Sequence, residues 1–354
     1  MGIEKEPFGL LPDGRSADKY TMKNSNGMSA EILTYGCRVY RLFVPDRDGK
    51  SENVVLGHKT LPEYDRDDDF FGAVVGRCAN RIAGAEFAIG KNTYRLVKNE
   101  GRNSLHSAPG GYQNRIWSVK ETTGGGTPSI TLSCLDKNGE CGYPGNVAAE
   151  VKYSLSAGNA LSICYSAKTD KETIFAPTNH TFFNITGNPG RDILSLTLQI
   201  DADCITEADK ELIPTGKLLP VKGTPYDFRR AKPVGRDIFA DDAFLKSCGG
   251  YDNNFALNGE PRAMKKAAWL YDAVSGRKME VATDMPGLQI FTANSYHEGS
   301  LGYDGREMEK HHAICLETQF FPDSVHHPDF PFQTLKPGAE FKSETVYSFT
   351  VEKA

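Results

Sequence analysis

The chain has 354 residues, of which 39% are hydrophobic, 25% are charged and 10% are aromatic. This is an ordinary globular composition with enough chain for a large core. A net charge of -5 and an isoelectric point near 6.0 argue against nucleic acid or an anionic membrane as the main partner. No apolar run approaches the length needed to cross a bilayer, so we expect no membrane partner.

The first residues contain no hydrophobic segment, so we expect no signal peptide and a cytoplasmic protein. A leader removed before Met1 and Gly2 is also compatible with this start. Eight cysteines are scattered without a CxxC pair or a zinc-like Cys/His cluster, which is typical of reduced, mostly buried thiols. The adjacent pairs His311-His312 and His326-His327 would point to opposite faces of a strand, so we expect no metal.

Two segments in the first third of the chain carry polar groups suited to ligand binding. The segment 76–96 places Asn80 and Arg81 just before a glycine-rich turn, and an amide beside a planar guanidinium suits sugar hydroxyls or a carboxylate. His106 enters a loop of Ser, Pro and Gly, where polar ligand contacts often lie. A surface arginine at a strand end and a turn-capping histidine explain these patterns equally well. Upstream of these two segments, only residues 60–68 have a helical pattern, which would form one or two turns.

Strict alternation of apolar and polar residues dominates the rest of the chain. The segments 129–135, 195–201 and 344–352 each alternate with a period of two, which predicts strands. Two alternating segments flank a Gly158-Asn159 turn, which predicts a hairpin. With 35 glycines and 19 prolines punctuating short strands, the pattern predicts an all-β fold, a large antiparallel β-sandwich. No linker interrupts it, so we expect one domain over residues 1–354.

The segment "APTNHTFFNITG" (176–187) has an unusual pattern for a strand. Alternation would place His180 on one face with Thr178, Phe182 and Asn184. A lone histidine in a strand is more often a structural residue than a catalytic one. The pattern alone therefore leaves the role of His180 open.

Two further segments offer hydrogen-bonding groups next to apolar runs. Asp252 lies in "GGYDNNFAL", which on pattern alone is a turn, although Asp and Asn are also natural partners of carbohydrate hydroxyls. Gln289 lies on a predicted strand, "PGLQIFTAN", where an outward-facing polar residue is the simplest interpretation.

Glu317 is the one acidic residue in "AICLETQFF" (313–321), which otherwise has the pattern of a buried strand. Alternation separates it from Ile314 and Leu316 and places it on the opposite face with Cys315 and Gln319. A solvated glutamate on a polar face is therefore the interpretation that the pattern alone favours.

Taken together, these segments resemble the aldose 1-epimerase (galactose mutarotase) family over nearly the full length. The resemblance rests on nine or so motifs in register, which are "GMSAEILTYGCRVYRLFVPDRDGK", "FFGAVVGRCANRIAGAEF", "NSLHSAPGGYQNRIW", "GYPGN", "PTNHTFFNITG", "IPTGKLLPVKGTPYDFR", "GGYDNNFAL", "GLQIFTAN" and "CLETQFFPDS". It implies a galactose mutarotase-like supersandwich with an open cleft on one sheet. It also implies interconversion of the α and β anomers of free aldohexoses without a cofactor.

The resemblance also implies roles for particular residues. Glu317 matches the general base and His180 the general acid. The sugar-binding positions of the family match Asn80, Arg81, His106, Asp252 and Gln289. Departures such as Asn253, where the family often has His, leave the preferred sugar open. We expect a small monosaccharide substrate, no nucleic acid or membrane partner, and a monomer or weak homodimer.

Three alternatives remain at this level. A hexose-6-phosphate 1-epimerase shares the chemistry but needs extra basic residues for the phosphate, and only Arg81 stands out. A glycosidase needs two carboxylates, such as Glu317 and Asp252, but gives His180 no role. A non-catalytic sugar-binding module need not keep both His180 and Glu317.

Overall fold

The computed structural model describes residues 2–66, 69–296 and 299–353. The described residues are mostly strands, with two six-residue α-helices, α1 (Leu61–Arg66) and α2 (Ala243–Cys248). The strands, in chain order, are β1 (Ile3–Leu10), β2 (Ser16–Lys23), β3 (Ser29–Leu33), β4 (Arg38–Pro45), β5 (Ser51–Asn53), β6 (Val74–Val75), β7 (Arg81–Ile82), β8 (Glu86–Ile89), β9 (Asn92–Arg95), β10 (Ser104–Leu105), β11 (Ser118–Thr123), β12 (Ser129–Asp136), β13 (Val147–Leu155), β14 (Ala160–Thr169), β15 (Thr178–Asn179), β16 (Phe182–Phe183), β17 (Thr197–Ile200), β18 (Ala202–Ala208), β19 (Pro214–Pro220), β20 (Lys232–Pro233), β21 (Asp252–Leu257), β22 (Lys265–Tyr271), β23 (Arg277–Thr283), β24 (Gly287–Phe291), β25 (Ile314–Gln319) and β26 (Phe341–Val351).

Three large antiparallel sheets organise these strands. Strands β1 to β5 form a five-stranded sheet in sequence order. A nine-stranded sheet has the order β11-β12-β13-β14-β26-β23-β22-β17-β20, and a six-stranded sheet has the order β16-β25-β24-β21-β18-β19. Three separate two-stranded sheets pair β6 with β15, β7 with β10 and β8 with β9. The predicted all-β, antiparallel architecture is confirmed.

One continuous hydrophobic core joins the three large sheets. Ile32 of β3, Ile163 of β14, Leu288 of β24 and Leu316 of β25 are each at most 1% exposed and belong to the same buried cluster. Each alternates along its strand with residues on the opposite face, because successive side chains of a strand point to opposite sides. The six-stranded sheet therefore turns Leu288 and Leu316 to the core and leaves its other face for the site.

Most of the predicted elements appear at the expected places. Strands β12, β17 and β26 cover the alternating segments, and β13 pairs with β14 across the Gly158-Asn159 turn. Asn159 has φ of +58°, a left-handed conformation that asparagine tolerates better than most residues. Helix α1 covers the first part of the predicted helix at 60–68, whose last two residues lie outside the described residues.

Two predictions about the chain need correction. The segment 176–187 is not one strand: β15 pairs with β6, β16 pairs with β25, and His180 and Thr181 lie between them. All eight cysteines are free, but only Cys37, Cys78 and Cys315 are buried, so the thiols are not mostly buried. Neither described helix has the length and apolar character required to cross a membrane.

Candidate active site

The register of the six-stranded sheet brings four predicted site residues together. Gln289 of β24 is directly opposite Glu317 of β25, and Asp252 of β21 is opposite Phe291, two residues further along β24. On the other side of β25, Phe182 is opposite Cys315. Extending that antiparallel register by two residues places His180 beside Glu317. Backbone pairing thus fixes the relative positions of these side chains.

Glu317 does not lie on a solvated polar face, contrary to the interpretation that alternation favoured. The alternation itself is correct, because Leu316 enters the core while Cys315, Glu317 and Gln319 share the other face. That second face is also covered, and Glu317 is only 2% exposed. Its Oε2 atom has no hydrogen-bond partner within the described part of the chain. A buried carboxylate oxygen without a hydrogen-bond partner lowers the stability of the fold, and a catalytic role is one reason for a protein to keep it.

His180 is held by backbone hydrogen bonds on one side and faces Glu317 on the other. Its N–H donates to the carbonyl of Ala73 over 2.8 Å, and its carbonyl accepts from the N–H of Gly72 over 2.9 Å. The ring is buried, with Nε2 3.4 Å from Oε1 of Glu317 and Nδ1 3.6 Å from Sγ of Cys315. A histidine and a glutamate are therefore adjacent in a site largely shielded from water.

Asn80 and His106 are joined by two hydrogen bonds, each donated by a backbone N–H group. The N–H of Asn80 donates to Nδ1 of His106 over 3.1 Å, and the N–H of His106 donates to the carbonyl of Asn80 over 3.0 Å. Both residues have left-handed backbone conformations, with φ of +58° and +53°. Such conformations are uncommon outside glycine and concentrate at functional sites. Because Nδ1 of His106 accepts, Nε2 carries the proton of the neutral ring and is a donor.

Arg81 follows Asn80 and is likewise buried. Its N–H donates to Oδ1 of Asn80 over 2.9 Å, so the amide that precedes it fixes its backbone. The guanidinium donates twice to Glu100, from Nε over 2.7 Å and from Nη2 over 2.8 Å. This is the bidentate geometry that arginine and carboxylate groups favour.

Asp252 and Gln289 form a direct pair on neighbouring strands. Nε2 of Gln289 donates to Oδ1 of Asp252 over 2.6 Å, while Oε1 of Gln289 has no hydrogen-bond partner within the described residues. Asp252 begins β21 and is not part of a turn, and Gln289 is 4% exposed and does not face outwards. Both simple interpretations from the pattern are therefore wrong.

All seven predicted site residues line one cavity of about 370 Å³. This volume lies at the small end of the range for ligand pockets. Sequence reasoning missed several other residues that line it, including Asp69, Phe70, Lys210, Phe291 and Asn294. Phe291 and Asn294 lie within the quoted segment "GLQIFTAN", so proximity to Gln289 along the strand was a usable signal. No sequence pattern indicated Lys210 or Asp69, because only the tertiary structure brings their loops to the cavity.

Burial controls the protonation of the central pair. It raises the pKa of Glu317 well above its ordinary value, with the charge of Asp252 acting in the same direction and that of Arg81 opposing it. Burial lowers the pKa of His180 to about 4. Moving one proton from Glu317 to the adjacent His180 leaves the net charge of the pair unchanged. The pair can therefore carry one transferable proton at neutral pH.

One group of potential metal ligands occurs among the described residues, and its protonation does not fit a metal. Ligand atoms of His106, His180 and Glu317 lie within 4.8 Å of one another. A metal requires a ring nitrogen with a free lone pair about 2.0 Å away. Nδ1 of neutral His106 is occupied by the N–H of Asn80, and Nε2 carries the proton. Burial also lowers the pKa of His106, which favours this neutral ring as a hydrogen-bond donor to a ligand.

Comparison with known proteins shows the family of the chain. The family model described as aldose 1-epimerase matches residues 18–348. The chain belongs to the aldose 1-epimerase family. Its relatives in that family include a galactose mutarotase from Mus musculus, 38% identical over 352 residues that cover 99% of both chains. An aldose 1-epimerase from Escherichia coli K12 is 33% identical and aligns over 97% of this chain and 98% of its own length.

A solved structure of the family supports the fold. The galactose 1-epimerase from Lactobacillus acidophilus NCFM superposes with a TM-score of 0.86 at 28% identity, covering 99% of this chain and 98% of its own. The predicted galactose mutarotase-like sandwich is thereby confirmed.

Proposed function

We propose that this protein is an aldose 1-epimerase that interconverts the α and β anomers of free aldohexoses such as galactose and glucose. Its family membership supports this enzyme class. The observation that carries the proposal is the 3.4 Å approach of Nε2 of His180 to Oε1 of Glu317 in a buried cavity. An acid and a base in contact, with one proton between them, are what the reaction requires.

In the proposed mechanism, Glu317 acts as the general base and His180 as the general acid. Glu317 removes the proton from the C1 hydroxyl while His180 delivers one to the ring oxygen, so the C1–O5 bond breaks and an aldehyde forms. Rotation about C1–C2 presents the other carbonyl face, and both proton transfers then reverse. Because O1 and O5 are bonded to the same carbon, two neighbouring catalytic groups can serve both oxygens. Both residues recover their starting protonation after each turnover.

The other predicted residues are proposed to hold the sugar. His106 presents an Nε2–H donor, and the guanidinium of Arg81 supplies further N–H donors to sugar oxygens. The Asp252–Gln289 pair offers carboxylate and amide oxygens to hydroxyl groups. Asn80 accepts from the backbone N–H of Arg81 through its side chain and from that of His106 through its carbonyl. Fixed partners of this kind supply the orientation that proton transfer needs.

Charge in the cavity favours a neutral sugar over a hexose 6-phosphate. Three carboxyl groups line it, those of Asp69, Asp252 and Glu317, beside two cationic side chains, those of Arg81 and Lys210. Arg81 is also paired with Glu100, so little positive charge remains for a phosphate dianion. For a glycosidase, Asp252 would have to serve as the second carboxylate, but it is engaged by Gln289, and the group next to Glu317 is an imidazole.

Polarimetry on freshly dissolved α-D-galactose and α-D-glucose tests the proposal. Glucose 6-phosphate, assayed separately, is the alternative substrate. We expect the approach to anomeric equilibrium to accelerate in proportion to enzyme concentration for the free sugars. Acceleration restricted to the phosphate would favour the phosphate-specific alternative. Binding of sugar without any acceleration would favour the non-catalytic module.

We also propose that the enzyme is a single-domain cytoplasmic protein that exists as a monomer or weak homodimer. The continuous core supports one domain, and the eight free thiols are compatible with a reducing compartment. Light scattering over a range of concentrations would test the oligomeric state.

A further inference from the structure

Glu100 controls the orientation of Arg81 but does not itself line the cavity. It accepts from Nε and Nη2 of Arg81 over 2.7 and 2.8 Å, which fixes the plane of the guanidinium. The Arg81 side chain is 10% exposed, whereas that of Glu100 is 37% exposed. Of the three guanidinium nitrogens, only Nη1 is left out of this pair.

The turn that carries Glu100 is itself tied to the cavity wall. The N–H of Asn103 donates to the carbonyl of Glu100 over 2.9 Å, which closes the turn. The Asn99 side chain accepts from the N–H of Leu105 over 2.8 Å and donates to its carbonyl over 2.9 Å. Leu105 pairs in turn with Arg81 between β10 and β7, and His106 follows it directly. The turn therefore supports two of the proposed sugar-binding residues.

Asp252 is a second carboxylate whose charge acts on the same guanidinium. Burial lowers the pKa of Arg81, but the charges of Asp252 and Glu100 outweigh burial and raise the pKa, so both carboxylates act on one cation. Asp252 lines the cavity, and a direct Arg81–Asp252 ion pair would occupy the groups that the proposed function assigns to sugar hydroxyls. The two hydrogen bonds to Glu100 hold the guanidinium in its present orientation.

We propose that Glu100 is a positioning residue that keeps Arg81 turned to the sugar and away from Asp252. This inference rests on the proposed function, because it assigns Glu100 a purpose in sugar binding. Loss of Glu100 leaves the acid–base pair intact, so sugar affinity is expected to suffer more than turnover. For Glu100→Gln, which keeps one acceptor oxygen, we expect about a 10-fold rise in KM with kcat changed less than about threefold.

A double-mutant cycle tests whether Glu100 acts through Arg81. Initial rates with α-D-galactose are coupled to a dehydrogenase specific for the β anomer, and galactose Kd is measured by calorimetry. The variants are Glu100→Gln, Arg81→Gln and the double variant, each checked for folding by thermal unfolding. Glu211→Gln is the matched control, because Glu211 accepts from Arg102 over 2.8 Å and from Asn103 over 3.2 Å, so the variant loosens the same turn without removing a partner of Arg81.

If Glu100 acts through Arg81, the double variant will be no weaker than Arg81→Gln alone, and Glu211→Gln will stay within about twofold of wild type. The inference would be overturned if the double variant lost affinity by the product of the two single losses. It would also be overturned if Glu100→Gln kept the wild-type KM, or if Glu211→Gln lost as much affinity as Glu100→Gln. A wild type that binds galactose without turnover would overturn the proposed function. The double-mutant cycle, measured as galactose Kd, would still decide the role of Glu100. A wild type that neither binds nor turns over galactose would overturn both.

Discussion

Replacing Glu317 with glutamine tests the proposed base with little change in shape. The amide is close to isosteric with the carboxylate, so it can occupy the same buried position next to His180. It retains an acceptor oxygen but cannot take up a proton at neutral pH. The substitution therefore removes proton abstraction while leaving the cavity and the sugar contacts in place.

The structure sets the expected size of this effect. Glu317 is the carboxylate 3.4 Å from His180, and its free Oε2 is available to a C1 hydroxyl. General acid–base catalysis contributes about 10²- to 10⁴-fold, which corresponds to about 3–5 kcal/mol in activation free energy. We expect kcat of Glu317→Gln to fall by that factor and KM to change little, because the sugar-binding contacts remain.

The burial of Glu317 also predicts how Glu317→Gln affects the stability of the protein. Burial raises the pKa of Glu317 in the folded protein above its unfolded value of about 4.5. A group with a raised folded pKa loses its contribution to stability as pH rises through that folded value. Glutamine does not titrate, so the variant does not lose stability in this way as pH rises. Urea unfolding should therefore show Glu317→Gln at least as stable as wild type at pH 8, with a smaller advantage at pH 5.

Polarimetry with α-D-galactose, corrected for spontaneous mutarotation, measures the loss of activity. Glu317→Asp is a useful companion, since it keeps a carboxylate but withdraws it by one methylene, and it should lose less activity than glutamine. A folded Glu317→Gln enzyme with kcat within tenfold of wild type would refute the assignment of Glu317 as the base.

Three further predictions follow from the site and the core. His180→Asn should lower kcat by a similar 10²- to 10⁴-fold in polarimetry, and adding Glu317→Gln should cost little more, because the two residues act as a unit. Since burial lowers the pKa of His180 to about 4, kcat/KM should decline only as pH falls towards 4, when the pair takes up a second proton; a decline centred at 6.5 would contradict this. Asp136→Asn should destabilise the protein by about 3–5 kcal/mol in urea unfolding, because it leaves the fully buried Arg77 guanidinium without its carboxylate partner at 2.6 Å; a change below 1 kcal/mol would indicate that other acceptors suffice.

The sequence determined the architecture because alternation is a local property. Apolar residues spaced two apart, bounded by turn residues, can bury one face only as strands, so β13 and β14 and the turn between them were predictable. The same periodicity separated Glu317 from Leu316. The ordered motifs identified the family and with it the seven predicted site residues, each of which lines the cavity.

Only the tertiary structure decided the environment of those residues. Alternation states which residues share a face but not what covers that face, so it predicted solvent where Glu317 is buried. It also extended one strand through His180, whereas pairing with two different partners divides the segment there. Glu100 carried no signal, because its contact with Arg81 depends on how a turn 19 residues away in the chain folds back. Burial, pKa and ion pairing arise from contacts between distant segments, and no local pattern encodes them.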